Sequence, residues 1–256
     1  MHLGWQWAQF PGCFLARPQR LIEQALKIGY DGVQMLPVRD ASIFESNVLL
    51  WERAWNAVYS LGQALSHQNG SEGLPSCLHD WVLFPDPDKC KTHYQQLEWA
   101  EVPQVVHATR LVPLGSLVEV NPDNRLTAQQ YIHEMQANCL GGFVIDTHHL
   151  RRESWQGWPN PLVGEDGSWR ATLDLLAPYV KAIHIHPTDI DFFLADPTIS
   201  VEAKIVRRLL GAGTPTDGLI VVAEYLPPMA TLLSARVSIG LAADVLKAMK
   251  DIMTSD

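Results

Sequence analysis

The stretch "RPQRLIEQALKIGYDGVQML", residues 17–36, has the pattern of an amphipathic helix that leads into a buried strand. Pro18 suits the first helical position, and Gly29 can adopt the left-handed conformation that ends a helix. Between them, apolar residues recur at helical spacing: Leu21, Ile22, Ala25, Leu26 and Ile28. The apolar run from Gly32 to Leu36 is the expected strand. A helix joined to a short apolar strand is the repeating unit of parallel α/β folds.

The same alternation of strands and helices continues along the chain. Eight strands are predicted, at residues 3–7, 32–36, 75–80, 103–107, 116–120, 142–146, 182–186 and 219–225. Helices are predicted at about 48–67, 127–139, 169–180, 201–210 and 238–249. Eight strands in a chain of 256 residues are typical of a (β/α)8 TIM barrel. Without a linker or an internal repeat, residues 1–256 are expected to form a single domain of this kind.

One connection departs from the barrel pattern. Only "ATRLVPLG", residues 108–115, separates the fourth and fifth predicted strands, which is too short for a helical crossover. Either the barrel lacks the helix between strands four and five, or one of these strands is misplaced.

Composition limits the partners and the compartment. The chain is 47% hydrophobic and 18% charged, as compact globular proteins are. Its net charge of -9 disfavours nucleic acid, which requires a basic surface. The cysteines lack the spacing of a zinc site or a disulfide scaffold, and no run of about 18 apolar residues occurs. We expect a cytoplasmic protein without a membrane or nucleic-acid partner; a homo-oligomer is compatible with the sequence.

Polar residues stand at the carboxyl ends of several predicted strands, where the chemistry of a TIM barrel is located. Strand five ends with Glu119, strand six with Asp146 in "GGFVIDTHHLRR" (residues 141–152), and strand eight with Glu224. Strand seven, "KAIHIHPTD" (residues 181–189), places His184 and His186 on one face by its two-residue period. Each acid ends an otherwise apolar inner face.

Buried carboxylates that converge from different strands repel one another unless a cation lies between them. Three carboxylates with an imidazole suit one divalent Mn, Mg, Co or Fe ion, and Zn remains an alternative. Each residue also has a plainer interpretation. Asp146 could cap the following loop, Glu119 and Glu224 could form ion pairs with residues such as Arg110 or Lys181, and His184 could be a core histidine.

Five motifs resemble the xylose isomerase-like TIM barrels, a family of sugar and sugar-phosphate isomerases and epimerases with an endonuclease branch. "GYDGVQM" follows the first helix, "VEVNP" ends strand five, "IDTHH" strand six, "HIHPTD" strand seven and "VAEY" strand eight. The resemblance implies metal ligands at Glu119, Asp146, His186 and Glu224. It also implies that Glu119 and Glu224 exchange a proton with the carbon beside a carbonyl, from opposite faces.

Further residues are candidates for contact with the substrate. The resemblance places His149 beside the substrate or a second metal. Its neighbour His148 is expected to point away from the site. His79 and His107 end strands three and four, as histidines do in the endonuclease branch. His184, on the same face of strand seven as His186, is a further candidate for contact with the substrate. Trp7 could stack on a sugar ring or fill the core, and Arg152 with Arg151 could bind an anion or form a solvated pair. Gln34 stands where many members have glutamate, so any contact there is altered.

These observations predict a metal-dependent isomerase or epimerase that acts on a small sugar, a sugar phosphate or a related polyol. The alternative is a barrel that binds a sugar or a protein partner without catalysis. Repair of abasic DNA, as in the endonuclease branch, fits the acidic balance poorly.

Overall fold

The computed structural model describes residues 32–35, 55–60, 77–79, 104–107, 109–110, 112, 114–151, 154–155, 157–223 and 235–255. For residues 32–35, 55–60, 77–79, 104, 154–155 and 235–243 it describes the backbone alone.

The described residues form a mixed α/β fold. Its strands, in chain order, are β1 Gly32–Met35, β2 Trp55–Ser60, β3 Cys77–His79, β4 Gln104–Val106, β5 Leu117–Glu119, β6 Gly142–Asp146, β7 Ser154–Trp155, β8 Trp158–Pro159, β9 Val180–Ile185 and β10 Ile220–Ala223. Five of them form a parallel sheet in the order β4-β5-β6-β9-β10. Strands β3 and β1 extend it in parallel beyond β4. Strand β2 pairs antiparallel with β1 and β10 and completes a closed ring.

The helix predicted at about 48–67 is wrong at residues 55–60, where the structure has strand β2. The apolar residues of that window fit helical spacing, but aromatic and β-branched residues such as Trp55, Val58 and Tyr59 also favour a strand. Hydrogen bonding to β1 and β10 decides between the two. The predicted first strand, residues 3–7, and the helix expected within residues 18–28 lie outside the described residues.

The helices are α1 Ala128–Ala137, α2 Arg170–Leu176, α3 Ile190–Ala195, α4 Val201–Gly211 and α5 Ala235–Thr254, with 3-10 turns at Pro122–Asn124, Ala177–Tyr179 and Pro197–Ile199. Helix α1 begins with a capping box between Thr127 and Gln130, and the Ser200 hydroxyl caps α4. Four of these helices are those predicted from the sequence. Helix α3 is the addition; it begins after the cap Asp189 in the connection that follows β9.

The connection between β4 and β5 lacks a helix at the residues that the structure describes there. They form bends, turns or irregular backbone, and Val105 pairs with Leu117 in parallel. The short spacing in the sequence therefore corresponds to two neighbouring strands without a helix among the described residues between them, and not to a misplaced strand.

Two apolar layers lie on opposite faces of the sheet, and they follow the two-residue period of the strands. One cluster consists of alternate strand residues: Val105, Leu117, Val144, Ala182, Ile220 and Val222. The intervening residues, such as Phe143, Ile183 and Val221, pack in a larger cluster with the helices. Side chains that continue the first face at the strand ends therefore project into the interior of the ring, as predicted.

Among the described residues, no helix combines the length and the hydropathy that a membrane crossing requires.

Candidate functional site

Glu119, at the end of β5, lies where several imidazoles converge. Its side chain is almost completely buried, and its Oε1 atom is 2.8 Å from Nε2 of His149. The same oxygen is 3.6 Å from Nε2 of His107, and Oε2 is 3.4 Å from Nδ1 of His184. These residues come from β5 and from the ends of β4, β6 and β9, so the parallel register brings them together.

The histidines govern the charge of Glu119. Burial, the largest single influence, would raise the pKa of this carboxyl group. The charge of His107, the hydrogen bond with His149 and the close contacts with His107 and His184 together outweigh burial and hold the pKa well below its usual range. Glu119 is therefore a carboxylate at neutral pH, although water scarcely reaches it.

Asp146, at the end of β6, uses its two carboxylate oxygens differently. Its Oδ1 atom accepts a hydrogen bond of 2.6 Å from the backbone N–H of His148, which caps the following turn. Its Oδ2 atom lies 3.5 Å from Nε2 of His149. The cap interpretation and the ligand interpretation are thus compatible, because each needs a different oxygen.

His149 completes a buried group with both acids. One donor atom each from Glu119, Asp146 and His149 lies within 4.8 Å of the others. Donors at about 2.1 Å from a six-coordinate ion are separated by about 3 Å along each octahedral edge. The distances of His149 from the two carboxylates, 2.8 and 3.5 Å, bracket that separation. Two carboxylates and an imidazole are also the donors that Mn²⁺, Fe²⁺ and Mg²⁺ accept. The residues present therefore fit a divalent ion.

The structure brings together part of the predicted ligand set. Glu119 and Asp146 belong to the described group, together with His149, which the motifs had placed beside the substrate or a second metal. The half-buried His186 donates its backbone N–H to Oγ1 of Thr147, and its ring stacks on His148 with the centroids 4.8 Å apart. The ligand role of His186 stays a prediction.

The other predicted site residues have different outcomes. His184 is fully buried on the inner face and His107 is nearly so, and both contact Glu119. His79 ends β3, where the backbone alone is described. Trp7, Arg152 and Glu224 lie outside the described residues. Arg110 pairs with Glu134 on α1, not with Glu119 as the ion-pair alternative suggested.

Asn160 supports the site and was missed in the sequence. Its buried amide Nδ2 donates 2.8 Å to the backbone carbonyl of His149, and its Oδ1 accepts from the N–H of Leu162. An asparagine before a proline indicates a turn, but nothing in the sequence connects it with a residue 11 positions earlier.

For Arg151, the interpretation as part of a solvated pair is wrong. Its side chain is 14% exposed and donates to the buried carboxylate of Glu202 and to the backbone carbonyl of His186. Burial lowers the pKa of Arg151 to about 10, against the charge of Asp146, which raises it. The guanidinium stays protonated at neutral pH and links the turn after β6 to α4.

No protein-family model, curated protein or solved structure matches the chain. The resemblance to the xylose isomerase-like barrels therefore stays a prediction from the motifs.

Proposed function

We propose that this protein is a divalent-metal-dependent isomerase or epimerase of a small sugar, sugar phosphate or related polyol, built on a TIM barrel of the xylose isomerase-like type. The observation that carries the proposal is the buried group of Glu119, Asp146 and His149 at the carboxyl ends of β5 and β6. Two buried carboxylates with an imidazole could hold a divalent ion, and this edge of a parallel sheet is where TIM-barrel enzymes carry their chemistry.

Glu119, Asp146 and His149 would hold the ion, and His186 and Glu224 remain the further ligands that the motifs imply. When bound, a divalent ion would polarise a carbonyl or hydroxyl oxygen of the substrate. The protein's own contribution is to keep Glu119 ionised and oriented, through His107 and His184, so that it can accept a proton from a neighbouring carbon. In this proposal Glu224 returns a proton from the opposite face.

The experiment combines metal titration with isotope exchange. Mn²⁺ or Co²⁺ should raise the melting temperature, because a ligand that binds only the folded state stabilises it. The loaded protein should then exchange solvent deuterium into the carbon beside the carbonyl of a ketose, as detected by NMR. Stabilisation without exchange for any ketose or polyol tested would instead support the binding barrel. Salt-sensitive binding of abasic DNA would support the endonuclease alternative.

A further inference from the structure

A cation–aromatic pair joins the connection after β5 to strand β8, which lies in the connection after β6. The guanidinium carbon of Arg125 lies 3.6 Å from the ring centroid of Trp158. Arg125 is exposed, and 47% of Trp158 is exposed. Arg125 has the left-handed backbone angles φ 54 and ψ 27, which a residue other than glycine seldom adopts. Its N–H donates 2.9 Å to the carbonyl of Pro122 and fixes this conformation.

Both partners are adjacent to residues that hydrogen-bond to the candidate site. Asn124, the neighbour of Arg125, donates 2.7 Å to the backbone carbonyl of His107. Asn160 donates to the carbonyl of His149 and lies two residues beyond Trp158, a span of at most about 7 Å along the chain. The pair therefore stands on the same edge of the sheet as the buried acids, on loops fixed to that site.

The chemistry of the pair leaves it open to a ligand. A guanidinium that stacks on an aromatic face keeps its N–H donors in its own plane, directed away from the ring. Within the described part of the chain, no carboxylate forms an ion pair with Arg125. Two neighbouring N–H donors of a guanidinium can bind two oxygens of a phosphate or a carboxylate. The exposed remainder of the indole suits the apolar C–H face of a sugar.

We propose that Arg125 and Trp158 form a binding platform for a sugar-derived substrate that carries an anionic group, a phosphate or a carboxylate. The claim that the ligand is a sugar derivative rests on the proposed function. The claim that it carries an anionic group rests on the Arg125–Trp158 pair itself and can be tested without metal.

The first experiment measures anion binding by calorimetry on the full chain, with inorganic phosphate and acetate as separate probes at constant ionic strength. The expected result is saturable binding of at least one probe, weakened about tenfold or more by Arg125→Gln. Arg207→Gln is the matched control, because Arg207 is an exposed arginine on α4. Tighter phosphate binding indicates a phosphate ester, and tighter acetate binding indicates a sugar acid. Binding of neither probe by the unaltered protein overturns the proposal whether or not the variant folds, as does equal binding by Arg125→Gln.

The second experiment separates this proposal from the proposed function. Exchange of solvent deuterium is measured with D-fructose and D-fructose 6-phosphate on the Mn²⁺-loaded protein. The platform predicts a lower KM for the phosphate ester, and Arg125→Gln should raise that KM with little change in kcat. Anion binding at Arg125 without any exchange keeps the platform and rejects the proposed function. Exchange that is equally efficient with both sugars and insensitive to Arg125→Gln supports the proposed function and rejects the platform.

Discussion

Nε2 of His149 lies 2.8 Å from Oε1 of Glu119, although the residues are 30 positions apart and belong to the ends of different strands. Asp146 stands three residues before His149, and its Oδ2 atom is 3.5 Å from the same nitrogen. The imidazole is thus placed between two buried carboxylates.

Asn160 should hold His149 in position and so affect the affinity of the site for Mn²⁺. Asn160→Ala removes the amide that donates to the His149 carbonyl. We expect a loss of about 1–3 kcal/mol in the free energy of unfolding, and Mn²⁺ affinity about 10–100-fold weaker, as for other residues that orient a ligand. Asn138→Ala is the matched control, because its amide donates 2.9 Å to the carbonyl of Glu134 on α1. It should destabilise the protein but leave Mn²⁺ affinity unchanged. Equal Mn²⁺ affinity in both variants would show that Asn160 has no special role.

Arg151 should be essential for stability because Glu202 is buried. Arg151→Met leaves that carboxylate without its cation and should cost about 3–5 kcal/mol in urea unfolding. The double variant Arg151→Met, Glu202→Leu should recover most of the loss. Arg208→Met, which breaks an exposed pair with Asp174, is the control and should change stability little. A double variant as unstable as the single one would refute this account of the pair.

The depressed pKa of Glu119 predicts how stability changes with acid in metal-free protein. A carboxyl group with a folded pKa below its unfolded value of about 4.3 stabilises fully above that pH and loses its contribution as pH falls towards the folded pKa. The stability advantage of the unaltered protein over Glu119→Gln should therefore shrink as the pH falls below about 4.3 towards the folded pKa. Urea unfolding in the presence of a chelator measures it. The exposed Glu165→Gln should show no comparable trend, and a constant difference for Glu119→Gln would contradict the assignment.

Gly141 allows close contact between backbones before β6. A Cβ atom at Gly141 would lie 2.3 Å from the carbonyl oxygen of Gly115, so the backbone must shift. Gly141→Ala should destabilise the protein by about 1–3 kcal/mol in thermal or urea unfolding. Gly211→Ala, at the last residue of α4 with open space around it, should be neutral or slightly stabilising. Equal stabilities of the two variants would contradict the packing argument.

The sequence predicted those features that depend on local periodicity. Alternation along the strands predicted the shared inner face on which Asp146 ends β6 and His184 lies in β9, and apolar spacing predicted four of the helices. The prediction from the sequence was wrong at Trp55–Ser60, because the residues there fit both helical and strand spacing. Pairing with the distant strands β1 and β10 makes this segment a strand.

The candidate site likewise combines residues whose direction follows from local periodicity with residues whose position depends on distant contacts. Asp146 lies on a strand, so its direction follows from the period, whereas His149 lies in the turn after it. The N–H of His149 bonds back to the Asp146 carbonyl, at 3.2 Å, and this turn brings the ring to Glu119. The path of such a turn depends on contacts such as Asn160 that local patterning does not encode.

Calorimetric titration of Mn²⁺ into metal-free protein, beside Glu119→Gln and the control Glu165→Gln, measures whether the buried group binds an ion. We expect one ion per chain with saturable binding, unchanged in Glu165→Gln and weakened about 100-fold or more in Glu119→Gln, which loses a charged ligand. Absence of binding to the unaltered protein, or equal affinity in Glu119→Gln, would contradict a metal site at Glu119, Asp146 and His149.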